Sequence, residues 1–527
     1  MKAPELYNAA RLERNLVLSA DVAVVGTGAG GGVCAEILSA SGLRVVMIEE
    51  GPYRMAADFT LRELDAYKEL YQENSARKTA DGAVTILQGR AVGGSTTVNW
   101  TTSLRTPTPT LDYWRESLGV RGFSAADFQP WFQRMERRMG VAPWTIPPNA
   151  NNAALARGAE KLGWAAEPIP RNVKGCLNLG YCGLGCPVDA KQSTLITSIP
   201  EALRAGAALV YRARADRLLL ANGRVTGLEC TALAEDGAQD RPQRITLMAP
   251  VVVVAGGAIH SPALLLRTEV PDPYKRLGMR TFLHPSVACL GRMPETVDAF
   301  AGAPQSVYSD HFLWRDGVTG AAGFKLETPP LQPVLAMSSV YRFDSTQVEL
   351  IRSYRHHHAL IALMRDGFHP DSPGGVVRLR GDGSPLLDYP VTPYLLEGMG
   401  KAQAAMIECQ FAAGAQWVLP VRMDAQPLRS WTEARRSLAG LKLTVPELQV
   451  FSAHVMGGCA MGEDPRHSVV DSNGRHHQVE SLYVMDGSVF PTSLGANPQL
   501  TIFALAARNA AALAVALGKT PPPWLLS

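Results

Sequence analysis

Residues 21–31 read Asp-Val-Ala-Val-Val-Gly-Thr-Gly-Ala-Gly-Gly, and this stretch decides the fold. The apolar run 21–25 predicts a buried strand, and the apolar segment 33–41 predicts a helix after the glycines. Gly26, Gly28 and Gly31 have the spacing G-x-G-x-x-G, which lets the backbone approach a pyrophosphate at the positive end of a helix. The stretch predicts a dinucleotide-binding βαβ unit, whereas a glycine-rich turn of an ordinary α/β sheet would be the plainer interpretation.

A second strand over 44–48 completes this unit and ends at an acid. Glu49 follows Gly31 by 18 residues, where a carboxylate would accept hydrogen bonds from the ribose hydroxyls. The acid argues against a 2′-phosphate and therefore against NADP. The candidate dinucleotide residues of this unit are Gly26, Gly28, Ala29, Gly31 and Glu49.

The composition is that of a large globular protein with nearly balanced charge. Of 527 residues, 51 are Lys or Arg and 48 are Asp or Glu, a net charge of +3, which does not indicate a nucleic-acid binder. The length predicts two domains. Residues 1–18 mix charged with apolar residues, so we expect no signal peptide and a cytoplasmic location, with peripheral membrane attachment left open. The apolar segment 500–517 carries Arg508 and Asn509 and predicts a buried helix rather than a transmembrane segment.

Two further segments follow the nucleotide unit. Residues 59–80 alternate charged and apolar residues at helical spacing and predict a surface helix. Residues 89–100 read Gly-Arg-Ala-Val-Gly-Gly-Ser-Thr-Thr-Val-Asn-Trp. Paired glycines before hydroxyl residues suit a backbone that lies flat against a planar ring.

At this point the sequence resembles the glucose-methanol-choline (GMC) oxidoreductase family, whose first signature has the form of 89–100. Residues 250–266 resemble its second signature, a strand that leads into a helix through two glycines. Residues 454–462 are similar to H-x-x-G-T-C-R-M-G, 486–491 to D-x-S-x-x-P, and 497–501 to N-P-x-x-T. The departures are Gly458 for Thr, Ala460 for Arg, and Arg267-Thr268 for Ser-Gly; they leave the subfamily open.

The resemblance implies an α/β fold, with a Rossmann-like FAD-binding domain and an inserted α+β substrate domain built on an antiparallel sheet. The FAD-binding domain would take 1–295, with a Cys-rich loop at 176–186, and 451–527. The substrate domain would take 296–450. Within it, residues 376–389 predict a hairpin, and residues 393–413 predict a helix that covers it.

The resemblance also implies a flavin site with a proton acceptor. Alcohol oxidation moves a hydride to flavin while the hydroxyl proton leaves, and an imidazole suits that proton. By resemblance, His454 is the base and Asn497 orients the hydroxyl; a satisfied core or surface residue is the alternative for any one of the 11 histidines. Val98 stands where covalently linked members carry His, which implies dissociable FAD.

Further flavin-binding candidates come from the same motifs. The helix after Asn497-Pro498 would direct its N-terminus at the ring and favour negative charge there. Asp486 would lie by the ribityl or phosphate portion, unless it is only an acid in a turn after the strand 482–485. The remaining candidates are Gly93, Gly94, Ser95, Asn99, Ala215, Asp486, Gly487, Asn497 and Pro498.

Cysteine and histidine clusters raise the question of a metal. Cys176, Cys182 and Cys186 are spaced as in the FAD-dependent glucose and fructose dehydrogenases of the family, which carry a three-iron cluster. Similar loops in long-chain alcohol oxidases imply no cluster, and metal-free thiols are our default interpretation. Cys34, Cys230, Cys289 and Cys409 should be buried thiols, and a disulfide is not expected. The triplet 356–358 is expected at the surface, without a metal.

The combined motifs are most similar to the long-chain or fatty alcohol oxidase and dehydrogenase branch. The resemblance therefore predicts FAD-dependent oxidation of a primary alcohol with an apolar body to the aldehyde. A sugar or polyol dehydrogenase is the alternative within the class, and a lyase or light-driven decarboxylase is the alternative outside it. The electron acceptor, whether oxygen, a quinone or a cytochrome, is left open.

Overall fold

A parallel six-stranded sheet confirms the predicted dinucleotide unit. The computed structural model describes residues 5–340, 344–440 and 442–526, so the first four residues of the segment examined for a signal peptide lie outside it. The glycine motif at 26–31 and the two glycines of the second signature each follow a strand of this sheet, at the carboxyl edge where such folds bind nucleotides. The strand order is Glu5–Asn8, Ala208–Tyr211, Val45–Glu49, Val22–Val25, Val251–Val254 and Leu482–Val484.

Two long apolar helices pack together, the first of them against this sheet. The first, Ala29–Ala40, begins earlier than predicted because it starts inside the glycine motif. The second, Gln499–Ala516, packs against the first and against Ala125–Arg138. Among the described residues it is the one helix long and apolar enough to cross a membrane, and 72% of its most apolar window is buried in the fold. It is therefore a core helix here, as its sequence predicts.

An eight-stranded sheet forms the second unit and is antiparallel except where Val84–Ile86 pairs with Val450–Ser452. Helix Pro393–Ala412 covers one of its faces, with helix Ala150–Leu162 beside it. Strands from both sides of residue 296 enter this sheet. Its order is Val84–Ile86, Val450–Ser452, Ser286–Arg292, His357–Met364, Phe324–Glu327, Val307–Phe312 and Glu167–Pro168, and Trp417–Pro420 pairs with Ser286–Arg292.

Two expectations about local structure need correction. The helix predicted over 59–80 is shorter, at Glu63–Leu70, because Leu61, Glu73 and Asn74 have left-handed backbone conformations that end helical turns. The hairpin of Gly375–Leu379 and Pro385–Asp388 forms as predicted. However, it belongs to a separate four-stranded sheet, whereas helix Pro393–Ala412 lies mainly on the eight-stranded sheet; residues of the hairpin and the helix share one apolar cluster.

The remaining elements surround these sheets. The hairpin's sheet also contains Met279–Phe282 and Met456–Gly457, and a further sheet has the order Ala213–Ala221, Arg224–Leu233, Asp240–Met248 and Leu16–Ser19. Val141–Pro143 pairs with Pro170–Asn172. The other helices are Thr108–Leu118, Ser198–Arg204, Gly257–Arg267, Pro333–Ser339, Ser345–Arg352, Trp431–Gly440 and Pro523–Leu526.

Candidate active site

One cavity of about 1240 Å³ connects the glycine loop, the C-terminal motifs and the eight-stranded sheet. It brings together most of the residues that the sequence nominates. Gly31 and Gly93 are the exceptions: they lie behind the wall and shape the loops that form it. The nominated residues that line the cavity are Gly26, Gly28, Ala29, Glu49, Gly94, Ser95, Asn99, Ala215, His454, Asp486, Gly487, Asn497 and Pro498.

The glycine loop leaves room for a ligand on one side and none on the other. Gly26 has a left-handed φ of 93°, and a Cβ there would lie 2.3 Å from the carbonyl oxygen of Ala255. At Gly28 the nearest atom to such a Cβ is the Cα of Gly94, at 3.8 Å, so that side of the loop faces the cavity. This open cradle at the start of helix Ala29–Ala40 fits a dinucleotide pyrophosphate.

The carboxylate of Glu49 holds the glycine loop in place. Its Oε2 accepts hydrogen bonds from the backbone N (3.0 Å) and the Oγ1 (2.6 Å) of Thr27, and its Oε1 accepts one from the N of Gly51 (2.9 Å). Thr27 Oγ1 also accepts the N–H of Gly93, which ties the glycine loop to the motif at 89–100. Sequence reasoning missed Thr27. Glu49 lines the cavity and keeps lone pairs for ribose hydroxyls, but it also organises the loop.

Replacing Glu49 by Ala should weaken FAD retention by about ten- to a hundredfold, since hydrogen bonds to a charged group contribute about 1.5–3 kcal/mol. Equilibrium titration of the apoprotein with FAD measures this. Thr27→Val is the matched control, because it removes the loop contact and leaves the carboxylate. Equal losses in the two variants would contradict the ribose role, and an unchanged affinity in the Ala variant would contradict both roles.

His454 lies beside a second imidazole that sequence reasoning missed. The Nδ1 atoms of His454 and His284 are 3.3 Å apart, and the rings meet edge to face with centroids 5.5 Å apart. The Nε2 of His284 accepts the backbone N–H of Gly495 at 2.9 Å. Burial and the charge of Lys325 lower the pKa of His454 to about 3. His454 is therefore neutral at ordinary pH, with only its Nε2 left for the cavity.

Asn497 is held by a buried carboxyl group. Its Nδ2 donates to Oε2 of Glu327 at 3.3 Å, and Gln305 donates to the same oxygen at 2.6 Å. This leaves the Oδ1 of Asn497 buried without a partner among the described residues. Burial raises the pKa of Glu327 to about 7. An amide fixed in this way can accept a hydrogen bond from a ligand hydroxyl.

Lys325 supplies positive charge under this site. It is 3% exposed and pairs with Asp310 at 3.3 Å. Its charge lowers the pKa values of His454 and His284 and partly offsets the burial that raises the pKa of Glu327. Lys325 and Glu327 lie two residues apart in the short strand Phe324–Glu327. Opposite charges at i and i+2 in an otherwise apolar strand were the available sequence signal for both residues.

Asp486 and Asn99 mainly support other parts of the site. Asp486 Oδ2 accepts from the N of Gly257 (2.7 Å) and the Oγ of Ser261 (2.5 Å), at the start of helix Gly257–Arg267. Its other oxygen accepts from the N of Ser488, so its geometry is that of an acid in a turn at the cavity wall. Asn99 donates to Oε1 of Gln499 at 2.7 Å and so fixes the N-terminus of the C-terminal helix, which opens on the cavity.

A second buried polar group in the cavity wall is left without a protein partner. The Nε2 of His260, within the second signature, is buried without a partner, and its ring faces Glu50 at 4.0 Å. Burial lowers the pKa of His260 to about 3. This neutral imidazole and the Oδ1 of Asn497 are unpartnered buried groups that line the same cavity, and buried polar groups of this kind call for a hydrogen-bonding ligand.

Apolar side chains from two neighbouring strands form one wall of the cavity, and we call them the apolar wall. They alternate along Ser286–Arg292 and His357–Met364, so the other face of each strand packs under helix Pro393–Ala412. Leu331, Ala336 and Val340 extend the apolar surface from beside helix Pro333–Ser339. The apolar wall consists of Ala288, Leu290, Ala359, Ile361 and Leu363.

The candidate metal ligands are not brought together in the part of the chain that the structure describes. Within residues 5–340, 344–440 and 442–526 no three His, Cys, Asp or Glu side chains come together as a ligand set. Cys176, Cys182 and Cys186 are free, half-buried thiols outside the cavity wall. The loop is tied to the motif at 89–100 through the buried Lys191, whose Nζ donates to the carbonyls of Thr97, Asn99 and Cys182.

The remaining cysteines lie where the sequence predicts, whereas the histidine triplet does not. Cys34, Cys230, Cys289 and Cys409 are buried and free, as predicted. The surface position expected for 356–358 is wrong for two of the three histidines. His357 and His358 are buried, because the triplet enters the central strand His357–Met364, and the Nδ1 of His358 is paired with the Oδ1 of Asn151 at 2.8 Å.

Comparison with known families and proteins gives one consistent result. Two family models described as GMC oxidoreductase match residues 67–286 and 370–506. A long-chain-alcohol oxidase of Arabidopsis thaliana is 30% identical over 508 residues, which cover 92% of this chain and 65% of that protein. An uncharacterized GMC-type oxidoreductase of Mycobacterium tuberculosis is 34% identical over 498 residues, 93% of this chain and 75% of that protein. The chain thus spans about two-thirds of the length of the plant relative.

Solved structures share the fold at low sequence identity. A formate oxidase of Aspergillus oryzae superposes with a TM-score of 0.69 at 14% identity, covering 96% of this chain and 99% of that one. A pyridoxine 4-oxidase from Mesorbium loti gives a TM-score of 0.65 at 18% identity, covering 93% and 98%. At these identities the likeness establishes the fold only.

Proposed function

This chain belongs to the GMC oxidoreductase family, and on that premise we propose that it uses FAD to oxidise a primary alcohol with a long or apolar body to the aldehyde. The observation that carries the proposal is the single cavity. It runs from a glycine cradle for a dinucleotide, past His454 and Asn497, to the apolar wall. The long-chain-alcohol oxidase relatives support the substrate class.

Bound FAD would supply the hydride acceptor of the reaction. The glycine loop, Glu49, Ser95 and the N-terminus of helix Gln499–Ala516 would hold it without a covalent link. The positive end of that helix and the charge of Lys325 favour negative charge at the reacting end of the cavity. Two open contacts fit such a cofactor, the face of Gly28 and the unpartnered Nε2 of His260.

His454 and Asn497 would handle the alcohol. The Oδ1 of Asn497 is fixed by Glu327 and can orient the hydroxyl. The Nε2 of His454 is the ring atom left for the cavity, and it would take the hydroxyl proton. The apolar wall excludes water and would hold the alkyl chain, with the carbinol carbon toward the two polar residues.

The apolar wall favours this substrate over a sugar. A sugar presents several hydroxyls, each of which needs a polar partner once it is buried. The five residues of the wall offer none. A lyase or light-driven decarboxylase would leave the flavin unreduced by an alcohol in the dark, so alcohol-dependent bleaching of the flavin separates these alternatives from alcohol oxidation. We place alcohol oxidation first.

Anaerobic stopped-flow mixing of the FAD-loaded protein with a series of alcohols tests the proposal. Primary alcohols with long chains should bleach the flavin absorbance, and sugars should not. Reoxidation of the reduced protein by air and by a quinone analogue then identifies the class of electron acceptor. Failure of every alcohol to reduce the bound flavin would overturn the proposed function.

The rate of flavin reduction should rise with pH through neutrality, because burial raises the pKa of Glu327 to about 7. Below that pH the carboxyl is protonated; above it, its negative charge next to Asn497 favours positive charge developing on His454. Lys325, Asp310, Gln305 and the cross-strand neighbour Tyr308 are further polar groups around this carboxyl. Single-turnover reduction at a series of pH values measures the profile.

Glu327→Gln is the variant for this profile, because the amide keeps an oxygen for Asn497 and cannot ionise. We expect the inflection near pH 7 to disappear while FAD stays bound. If the variant keeps the inflection, another group titrates there and Glu327 is only a structural anchor.

A further inference from the structure

His284 connects the proposed base to the backbone of a neighbouring loop. Its ring lies between the Nδ1 of His454 and the N–H of Gly495, two residues before Asn497. Its own backbone has a left-handed φ of 44°, an unfavourable conformation for a non-glycine residue. The N of His284 donates to Asp366, and its carbonyl accepts from Ser286. The fold thus holds this ring in one place at a conformational cost.

The hydrogen bonds of His284 determine where the protons of both rings lie. A backbone N–H can only donate, so the Nε2 of His284 must be the acceptor and carries no proton. A neutral His284 then carries its proton on Nδ1, which donates to the Nδ1 of His454. The Nδ1 of His454 is therefore bare, and its single proton lies on Nε2.

Both rings are neutral, which this assignment requires. Burial lowers the pKa of His284 well below its usual value, and His454 and Lys325 lower it further. Burial and Lys325 likewise lower the pKa of His454. A doubly protonated pair would also place two N–H groups against each other at 3.3 Å.

We propose that His284 sets the tautomer of His454, so that the resting pair presents an N–H rather than a bare nitrogen to the cavity. This inference rests on the proposed function for its consequence. His454 can accept a hydroxyl proton at Nε2 only when its own proton is on Nδ1 and donates to His284. His284 must then carry its proton on Nε2, which displaces the hydrogen bond from Gly495.

The pair therefore has two arrangements with the same two protons. In the resting arrangement His454 donates to the substrate oxygen, and Gly495 is satisfied. In the active arrangement His454 can accept the hydroxyl proton, and the Gly495 N–H has lost its acceptor. His284 acts on the reaction through His454 and is a positioning residue.

Proton positions test the assignment without any substrate. Neutron diffraction from crystals of the FAD-loaded protein, or ¹⁵N NMR of the histidine-labelled holoenzyme, distinguishes the two tautomers. His284→Asn and His454→Asn identify the signals by subtraction. We expect protons on Nε2 of His454 and Nδ1 of His284. A proton on Nδ1 of His454, or a charged ring, would overturn the proposal.

Single-turnover reduction by alcohol then shows whether His284 sets the tautomer of His454 or only supports its ring. An amide at 284 can offer either an oxygen or an N–H to His454, so His284→Asn should speed flavin reduction at least about fivefold. His284→Leu, which offers neither, should slow it. Slowing of the two variants alike would mean that His284 only supports the ring.

The two measurements also separate this inference from the proposed function. If no alcohol reduces the flavin, the proposed function fails, and the proton positions still decide the tautomer. If alcohols reduce it and the proton lies on Nδ1 of His454, only the inference about His284 fails. Bound FAD, measured by absorbance, shows whether each variant has folded.

Discussion

Replacing His454 by Ala is expected to slow reduction of the bound flavin by alcohol at least about a hundredfold, the usual scale for losing a general base. The side chain has no other hydrogen-bonding role in the described structure than its contact with His284. Its removal therefore leaves the glycine loop and Glu49 intact, and FAD should stay bound. Anaerobic stopped-flow reduction, with the flavin spectrum as a measure of FAD content, gives both results.

His467→Ala is the matched control, because His467 is exposed and lies outside the cavity. It should reduce as fast as the unmodified protein. Near-normal reduction in the His454 variant would mean that another group takes the proton, and Glu327 would then be the first to examine. Loss of FAD from that variant would instead assign His454 a structural role.

The nucleotide fold could be predicted because its determinants are local. The strand, the three glycines, the helix and the acid lie within about 30 residues, and each has a direct physical reason to be there. The structure confirms the strand and helix on either side of Gly26, and the parallel sheet follows from them. The same holds for the apolar helix near the C-terminus, whose period and composition already indicate burial.

The sequence could not show how each side chain divides its hydrogen bonds between the ligand and the rest of the protein. Glu49 and Asp486 were nominated for the cofactor, and both line the cavity. Each is also hydrogen-bonded to backbone groups, in the case of Asp486 to Gly257, which is 229 residues away in sequence. Only the folded chain shows how the lone pairs of a carboxylate are divided.

The residues that surround His454 were missed for the same reason. His284 is 170 residues from His454 in sequence, and Glu327 is 170 residues from Asn497. No local pattern relates them, although the charges of Lys325 and Glu327 in one apolar strand were a usable signal. The surface position predicted for the histidine triplet was wrong for a different reason. Three polar residues in a row suggest a surface, but the strand buries two of them.

The apolar wall explains how one sheet can serve both stability and specificity. Alternate residues of Ser286–Arg292 and His357–Met364 point to opposite faces. One face fills the core beneath helix Pro393–Ala412, and the other lines the cavity. Substitutions on the cavity face therefore change the space available to the substrate with less effect on the core.

A bulky side chain on the apolar wall should abolish the preference for long-chain alcohols. Each buried methylene contributes about 0.8 kcal/mol, so kcat/KM should rise about fourfold per added carbon until the wall is covered. Ala288→Phe would take the place of several methylenes of substrate. We expect kcat/KM for long primary alcohols to fall about a hundredfold, while short alcohols react nearly as before. Steady-state kinetics with a homologous series of alcohols measures how kcat/KM depends on chain length in the unmodified protein and in the variant.

The pairing of the two strands allows a rescue that a general loss of stability could not give. Ala288 and Ile361 are direct partners on neighbouring strands, and both line the cavity. The double variant A288F/I361A should therefore regain part of the activity toward long alcohols. Val348→Phe places the same side chain on an exposed helix outside the cavity and should leave the dependence of kcat/KM on chain length unchanged. A wall that contacts only the distal methylenes of a long alcohol cannot affect a short alcohol that lacks them. If Ala288→Phe lowers kcat/KM equally for short and long alcohols, the apolar wall therefore does not bind the alkyl chain.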